Sequence, residues 1–458
     1  MSPLSLDLLL GCALVLIVVR LWPAREQLAT RRAAVLAVSV AMLAYWQPLG
    51  LAVTLALTAI TWVAIAGMRA TPANAGTYTT LGVTVVVAAL VVARYTPWLL
   101  NMSLGEGAVR SWIVPLGVSF TACRLIGAIL DARALKTAVG AGELFFLALF
   151  FPTFRSGPIE SLRSLRPLAG ADSEQRDVAW AFGRILVGVC RKVILADTLF
   201  TMVIGPWETE GIAQLRPVQC LVLPFLYGLY IYWDFAGYTD VAIGTGALLG
   251  YRVSENFDRP YLSRNVSDFW RRWHITLSEW IRLRLFMKMV GRRSPTWQLN
   301  AATVVSMGLC GLWHGAGWNF LAWGLWHGFG LVGVQLFGEA QRRSEALRRV
   351  VNLPGATLAA TVLTFAYVSA GWAMFFLPLG SAAELFARAA RTSPPMMLAV
   401  AAAVTGLLAL YEALGTGRLA RLWQATPAVA RGAVYALLLF GIILGRAEPA
   451  ENFIYFAF

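Results

Sequence analysis

Apolar residues run in long stretches along this chain, broken by short polar or basic clusters, and the pattern recurs from end to end. A helix that crosses a bilayer needs about 20 mainly apolar residues. Stretches of that kind lie near 4–22, 33–47, 50–68, 79–100, 112–130, 142–154, 180–205, 218–250, 298–313, 318–337, 356–377, 396–412 and 428–445. Several are too short or too interrupted to be simple spans. The pattern predicts an all-α fold, a polytopic transmembrane helical bundle of about 10–12 membrane helices with re-entrant pieces. No polar stretch is long enough to build its own core, so residues 1–458 read as a single membrane-embedded domain.

Composition agrees with the pattern. Hydrophobic residues make up 58% of the chain and charged residues 14%, where a soluble domain carries about 25% charged residues. The five cysteines (Cys12, Cys123, Cys190, Cys220, Cys310) are scattered through apolar stretches without a Cys-x-x-Cys pair. They read as small core residues rather than disulfide partners or metal ligands. The first apolar stretch lacks a basic start and a small-residue cleavage site, so it reads as a retained helix, not a signal peptide.

The net charge of +14 could suggest nucleic acid, but in a membrane protein it first reports topology, because Lys and Arg concentrate in cytoplasmic loops. Arg20, Arg25, Arg31 and Arg32 then belong in the cytoplasm, which places the N-terminus outside. A second basic zone, Arg252 to Arg293, holds ten basic residues against four acidic ones. It is either a face toward anionic lipid headgroups or a docking surface for an anionic cytosolic donor, such as an acyl carrier protein or the phosphates of coenzyme A.

Candidate chemistry is concentrated in one region. The chain has three histidines, His274, His314 and His327, and the last two sit in identical pentapeptides, Gly311-Leu312-Trp313-His314-Gly315 and Gly324-Leu325-Trp326-His327-Gly328. Histidine is the side chain best suited to proton transfer near neutral pH. The glycines and Asn319 between the two copies make one straight helix through both unexpected, and irregular backbone at membrane depth lines a cavity or is buried in protein. His327 is also explained by a hydrogen-bonded core position. Three histidines could hold a zinc ion, but the spacing lacks a short i, i+4 pair and no carboxylate lies nearby in sequence to orient the rings, so no metal is expected.

Two further segments stand out. In Tyr232-Trp233-Asp234-Phe235-Ala236-Gly237-Tyr238-Thr239-Asp240 two carboxylates lie in an apolar run, which is costly unless each faces a partner or a water-filled cavity. Asp234 and Tyr238 share a helix face. Either carboxylate could instead pair structurally, with Arg271 or Arg272 as candidates. In Asn256-Phe257-Asp258-Arg259-Pro260-Tyr261, Pro260 biases Arg259 away from helix. Asn265 or Ser267 could then cap a helix running through Trp280, on which Trp270, His274 and Ser278 would line one stripe and Trp273 and Trp280 a neighbouring one. An interfacial aromatic belt accounts for the tryptophans but not for a histidine among them.

These blocks resemble the signature motifs of membrane-bound O-acyltransferases, in the bacterial branch that contains alginate O-acetylases and teichoic-acid D-alanyl transferases. The motifs that carry the likeness are Tyr232–Asp240, Glu255–Tyr261, Asp268-Phe269-Trp270-Arg271-Arg272-Trp273-His274 and Gly311–Gly315. Outside them, Val114–Phe120, Phe150-Phe151-Pro152 with Ser156–Ile159, Arg191–Asp197 and the terminal Phe453–Phe458 also match. The likeness covers roughly residues 110–378 plus the tail, which suggests peripheral helices over 1–109, an acyltransferase core over 110–378 and C-terminal helices over 379–458.

The resemblance implies a funnel-like core in which His314 is the general base and His274 positions or polarises the donor. Trp313, Asn319, Asp234, Tyr238, Trp273 and Ser278 are then expected to contact substrate. It implies a multi-pass protein of the bacterial inner membrane with no bound cofactor. The acyl thioester, acetyl-CoA or an acyl carrier protein, is a substrate, and a polysaccharide acceptor and an extracytoplasmic partner acyltransferase are expected, with no nucleic acid. The branch pattern Leu-Arg-Asp-Tyr-Leu-Tyr-Ile-Pro-Leu-Gly-Gly is replaced here by Ile281–Gly291, and Phe286-Met287-Lys288 is closer to the D-alanyl branch. Acetyl is the favoured group and D-alanyl the alternative. Two rivals remain open. One is a lipid O-acyltransferase; the other is a transporter using the intramembrane carboxylates with Arg94 or Arg124.

Overall fold

The structure is a computed structural model that describes residues 28–104, 117–135, 139–168 and 177–415, with scattered positions between 426 and 437. The apolar stretch at 4–22, Arg20, Arg25, Cys12, Val114-Pro115-Leu116, nearly all of the stretch at 428–445 and the tail Phe453–Phe458 lie outside the described residues.

In hydrocarbon each backbone N–H and C=O must be satisfied within its own segment, which favours helices. The apolar stretches duly fold as α1 (Leu28–Trp46), α2 (Pro48–Ala70), α3 (Ala75–Leu104), α4 (Val118–Leu135), α5 (Ala141–Leu149), α6 (Val178–Val189) and α7 (Pro217–Leu248). After them come α8 (Val266–Arg272), α9 (Ile275–Ile281), α10 (Thr296–His314), α11 (Trp318–Arg343), α12 (Ala356–Phe376) and α13 (Pro394–Gly415). Among the described residues, six helices are long and apolar enough to cross a membrane: α2, α3, α7, α11, α12 and α13. The only sheet among the described residues is a two-residue antiparallel ladder, Arg166–Pro167 against Tyr251–Arg252. The all-α expectation holds.

Two of the apolar stretches are not plain helices. The one at 142–154 is the nine-residue α5, followed after Phe150 by a single turn, Phe151–Phe154, which is too short to cross. The one at 180–205 begins as α6 and continues as two π-helical segments, Cys190–Asp197 and Phe200–Ile204. In a π-helix each hydrogen bond spans five residues, and such turns are rare and concentrate at functional sites.

The described residues form two compact units. One is built from the residues up to Val189 together with Tyr238–Glu255, the other from Cys190–Gly237 and the residues from Asn256 onward. In the first unit, Arg124 is buried and its guanidinium donates to the carbonyls of Leu147 and Thr153, so a cation satisfies carbonyls at the end of α5 and in the turn after it. The buried Glu160 carboxylate accepts from the Ser254 amide at 2.7 Å and its hydroxyl at 3.1 Å. The second unit holds the histidines and the largest share of the buried aromatic rings.

Candidate active site

The doubled pentapeptide forms a helical hairpin. α10 ends on His314 with Gly315 as its cap, and α11 begins at Trp318. The first glycines of the two copies pack against each other, since a Cβ on Gly311 or on Gly324 would lie 3.1 Å from the other's Cα. A Cβ on Gly311 would also strike the Phe320 carbonyl, and one on Gly324 the Met307 carbonyl. Small residues let helix backbones approach this closely in a bilayer. His314 and His327 therefore sit on different helices, three residues beyond a shared glycine contact.

The stretch from Asn265 to Trp280 is not the continuous helix expected. Asn265 caps α8, its Oδ1 accepting from the Asp268 amide at 2.8 Å, but α8 stops at Arg272 and α9 starts at Ile275. His274 stands in the break with left-handed backbone, φ 42° and ψ 55°. A competing segment draws the chain out of helix: the Asp258 amide donates to the Arg272 carbonyl at 3.0 Å, the Ile275 amide donates to the Asn256 carbonyl at 3.0 Å, and Phe257 bridges Trp273. The Trp270–His274–Ser278 stripe is thereby broken. Left-handed backbone in a non-glycine residue costs about 1–3 kcal/mol and persists where its surroundings enforce it, often at functional sites.

Asn256, which sequence reasoning passed over, sets the state of His274. Its Oδ1 accepts from the Thr276 amide at 3.2 Å and the Thr276 hydroxyl at 2.8 Å. A backbone N–H can only donate, so this atom is an acceptor. The His274 Nδ1, 3.3 Å away, must then carry the proton, leaving the lone pair on Nε2. His274 is fully buried, and burial lowers its pKa to about 3, so the ring is neutral near pH 7. The signal available in sequence was the position of Asn256 inside the Glu255–Tyr261 block.

One cluster of rings brings the three histidines together. His274 lies 4.8 Å from Phe235 and 6.4 Å from Trp313 between ring centroids. Trp313 lies 4.9 Å from His314, which stands edge-to-face to Trp323 at 5.0 Å and to Phe375 at 5.2 Å. Trp323 in turn lies 5.0 Å from His327. Such edge-to-face pairs hold rings in fixed orientation. Trp313 is thus in ring contact with both His274 and His314. The His327 Nδ1 accepts from the Trp270 indole N–H at 3.3 Å, and its Nε2 lies over Gly371, where a Cβ would come within 3.1 Å. That environment is a packed, hydrogen-bonded core position.

The carboxylates of α7 find cations, though not Arg271 or Arg272, which both pair with Asp268. Asp234 meets the Lys192 ammonium at 2.7 Å, and Lys192 also meets Asp197 at 2.6 Å. The π-helical turn makes this possible, because residues five apart, such as 192 and 197, lie over one another there. Asp240 binds the Arg184 guanidinium at 2.6 Å, which extends to Glu255 at 2.6 Å. Of the other expected contact residues, Trp273 is buried and stacked on Phe269 at 5.5 Å. The Ser278 hydroxyl donates to the Trp273 carbonyl at 3.1 Å, and the Tyr238 hydroxyl donates to the Pro152 carbonyl at 3.3 Å. Asn319, half-buried in the first turn of α11, folds its Oδ1 against Gly317. The structure gathers His274, Trp313 and His314; the remaining expected residues have these contacts of their own.

Residues 38–370 match the membrane-bound O-acyltransferase family. The chain belongs to that family. It is similar to a protein of Azotobacter vinelandii named as a probable alginate O-acetylase, with 31% identity over 68% of this chain and 62% of the relative. A teichoic acid D-alanyltransferase of Streptococcus thermophilus is 31% identical over 47% of this chain and 56% of its own length. A peptidoglycan O-acetyltransferase of Helicobacter pylori is 30% identical over 49% and 42%. The chain spans less than two thirds of the length of these relatives. Family membership and the apolar helices together make it a multi-pass membrane protein. Within the family match fall all three histidines, Asn256 and, of the rings named above, all but Phe375.

Proposed function

We propose that this chain is an O-acyltransferase of the bacterial cytoplasmic membrane. It moves an acetyl group from a cytosolic thioester across the membrane to hydroxyls of an envelope or exported polysaccharide. The observation that carries the reading is that a neutral, Asn256-oriented His274 and His314 both lie in ring contact with Trp313, within one ring cluster.

In this reading His314 takes the proton from the acceptor hydroxyl as that oxygen attacks the thioester carbonyl carbon. The tetrahedral intermediate collapses, the C–S bond breaks, and the leaving thiolate recovers the proton from the His314 imidazolium. The lone pair on His274 Nε2 accepts a hydrogen bond from the donor and holds its carbonyl in line. The surrounding Trp and Phe rings exclude water that would otherwise hydrolyse the acyl group. Coenzyme A phosphates or an acidic acyl carrier protein meet the basic zone at 252–293 through residues other than Arg271 and Arg282, and a partner acyltransferase on the outer side completes delivery to polymer. The names of the relatives support acetyl, and similarity to a D-alanyltransferase together with Phe286-Met287-Lys288 supports D-alanyl as the second reading.

The test compares O-acyl esters on extracted polymer and lipid by mass for wild type and His314→Ala at equal membrane abundance. A general base contributes about 10²–10⁴-fold, so the variant is expected to lose at least a hundredfold of one ester class, whose mass names the acyl group. Unchanged esters would remove His314 as the base.

A further inference from the structure

The second unit also contains a cavity of about 490 Å³, bounded by one face of the α10–α11 hairpin and by α8 and α9. α10 contributes Thr303, Ser306 and Met307, and α11 contributes Leu331, Val334 and Gln335, each set at the spacing of a single helix face. The size is within the roughly 300–1,000 Å³ of small-molecule sites.

Three observations define the guest. Ser306 is 3% exposed and its Oγ has no hydrogen-bond partner among the described residues, so the cavity wall presents a buried hydroxyl that calls for an acceptor. At the mouth stand Arg271 and Arg282; Arg271 shares Asp268 with Arg272 and Arg282 has Glu279 nearby, so three guanidiniums meet two carboxylates. Glu279 approaches Arg282 only to 3.8 Å, and the guanidiniums of Arg271 and Arg282 are largely exposed. Neither His274 nor His314 lines the cavity, so a thioester held there would lie off the two rings in contact with Trp313. The guest is therefore an amphiphile with an apolar body, a carbonyl and an anionic head, and it is not the acyl donor.

We propose that this cavity binds one acyl chain of an anionic phospholipid. The ester carbonyl accepts from Ser306 Oγ, the phosphate faces Arg271 and Arg282, and the hydrocarbon lies against Ile281, Met307, Leu331 and Val334. Trp270 forms part of the wall, held by its bond to His327. The surrounding bilayer supplies the ligand, and three guanidiniums against two carboxylates select a negative headgroup.

The experiment uses the full chain in detergent, stripped of native lipid and supplied with dioleoyl-phosphatidylglycerol or dioleoyl-phosphatidylcholine, with retained lipids counted by native mass spectrometry. Wild type is expected to keep one phosphatidylglycerol and to bind phosphatidylcholine at least tenfold more weakly. Met307→Trp and Leu331→Phe, which fill the cavity, are expected to lose that lipid at an unchanged unfolding midpoint. Arg271→Gln with Arg282→Gln is expected to bring phosphatidylglycerol down to the phosphatidylcholine level; as a surface change, it keeps the proposal testable should both filling variants unfold. Equal retention of the two lipids by wild type, or undiminished phosphatidylglycerol in the filling variants, overturns it. So does a filling variant that keeps its lipid but raises KM for the thioester tenfold, since the cavity would then belong to the donor. Lipid counts do not depend on ester formation, so a failure of acyl transfer leaves this test intact.

Discussion

The molecule buries polar groups in apolar surroundings in two different ways. In α7, Asp234 and Asp240 are almost fully buried and each is held by a cation, Lys192 in one case and Arg184 in the other. In the break between α8 and α9 and along the α10–α11 hairpin, His274, His314 and His327 are equally buried but are packed among aromatic rings. A buried charge that has found its counter-ion is committed to that partner. A buried neutral imidazole costs little to hold and can still exchange a proton. The contrast separates groups held by an opposite charge from groups held by ring packing.

Removing the cation from the first kind should do the most damage. Lys192→Met leaves the buried Asp234 and the half-buried Asp197 without their ammonium, and breaking a buried pair costs about 3–5 kcal/mol. The expected outcome is a sharp loss of membrane abundance and of the thermal unfolding midpoint. Normal abundance would erase the distinction between the clusters.

The second kind is sharpened by Asn256. Replacing it with Ala should leave the fold in place yet cut ester formation by roughly 10–100-fold, the usual cost of losing a partner that orients a working histidine. Asn256→Asp keeps the acceptor oxygen and is expected to recover part of that loss. Equal loss in both variants would show that an acceptor oxygen at position 256 is not what His274 requires.

Acid probes the same site more gently. The folded pKa of His274, about 3, lies below the ordinary value near 6.5. Between those values the unfolded chain binds the proton that the folded chain refuses. The stability contribution is therefore present above pH 6.5 and is lost as pH falls toward 3. The unfolding midpoint of wild type should drop over that window, and His274→Gln should show a shallower drop.

The smallest effect is expected at His327. Gln can still accept from the Trp270 indole, so His327→Gln should change ester formation by less than about threefold, as expected for a hydrogen bond that is replaced rather than removed. A hundredfold loss would move His327 into the chemistry.

Much of this was legible in the chain. Long apolar stretches gave the helices, and the motif blocks pointed to the family and singled out His274 and His314. Periodicity failed at the break between α8 and α9, because a helix was read through Trp273 and His274 from local spacing alone. The residues that end it, Asn256 to Asp258, lie 16 to 18 positions away and act through backbone hydrogen bonds that no pattern of side chains records. The partners of Asp234 and Asp240 were missed for a related reason. Arg271 and Arg272 are close in sequence to the histidine block, whereas Lys192 reaches Asp234 from a π-helical turn.

The contact of Gly311 with Gly324 bears on how the proposed transfer would work. Where two helices meet through backbone, no side chain can repack to let one slide past the other, so the hairpin holds its register. His314, at the end of that hairpin, is thereby held in place relative to α11. On the function proposed above, an acyl group that starts on one side and finishes on the other would be brought to the histidine by the length of its carriers, with the donor arm reaching inward and the acceptor reaching down to meet it. The protein can act as a fixed meeting point, with no need to alternate between two faces.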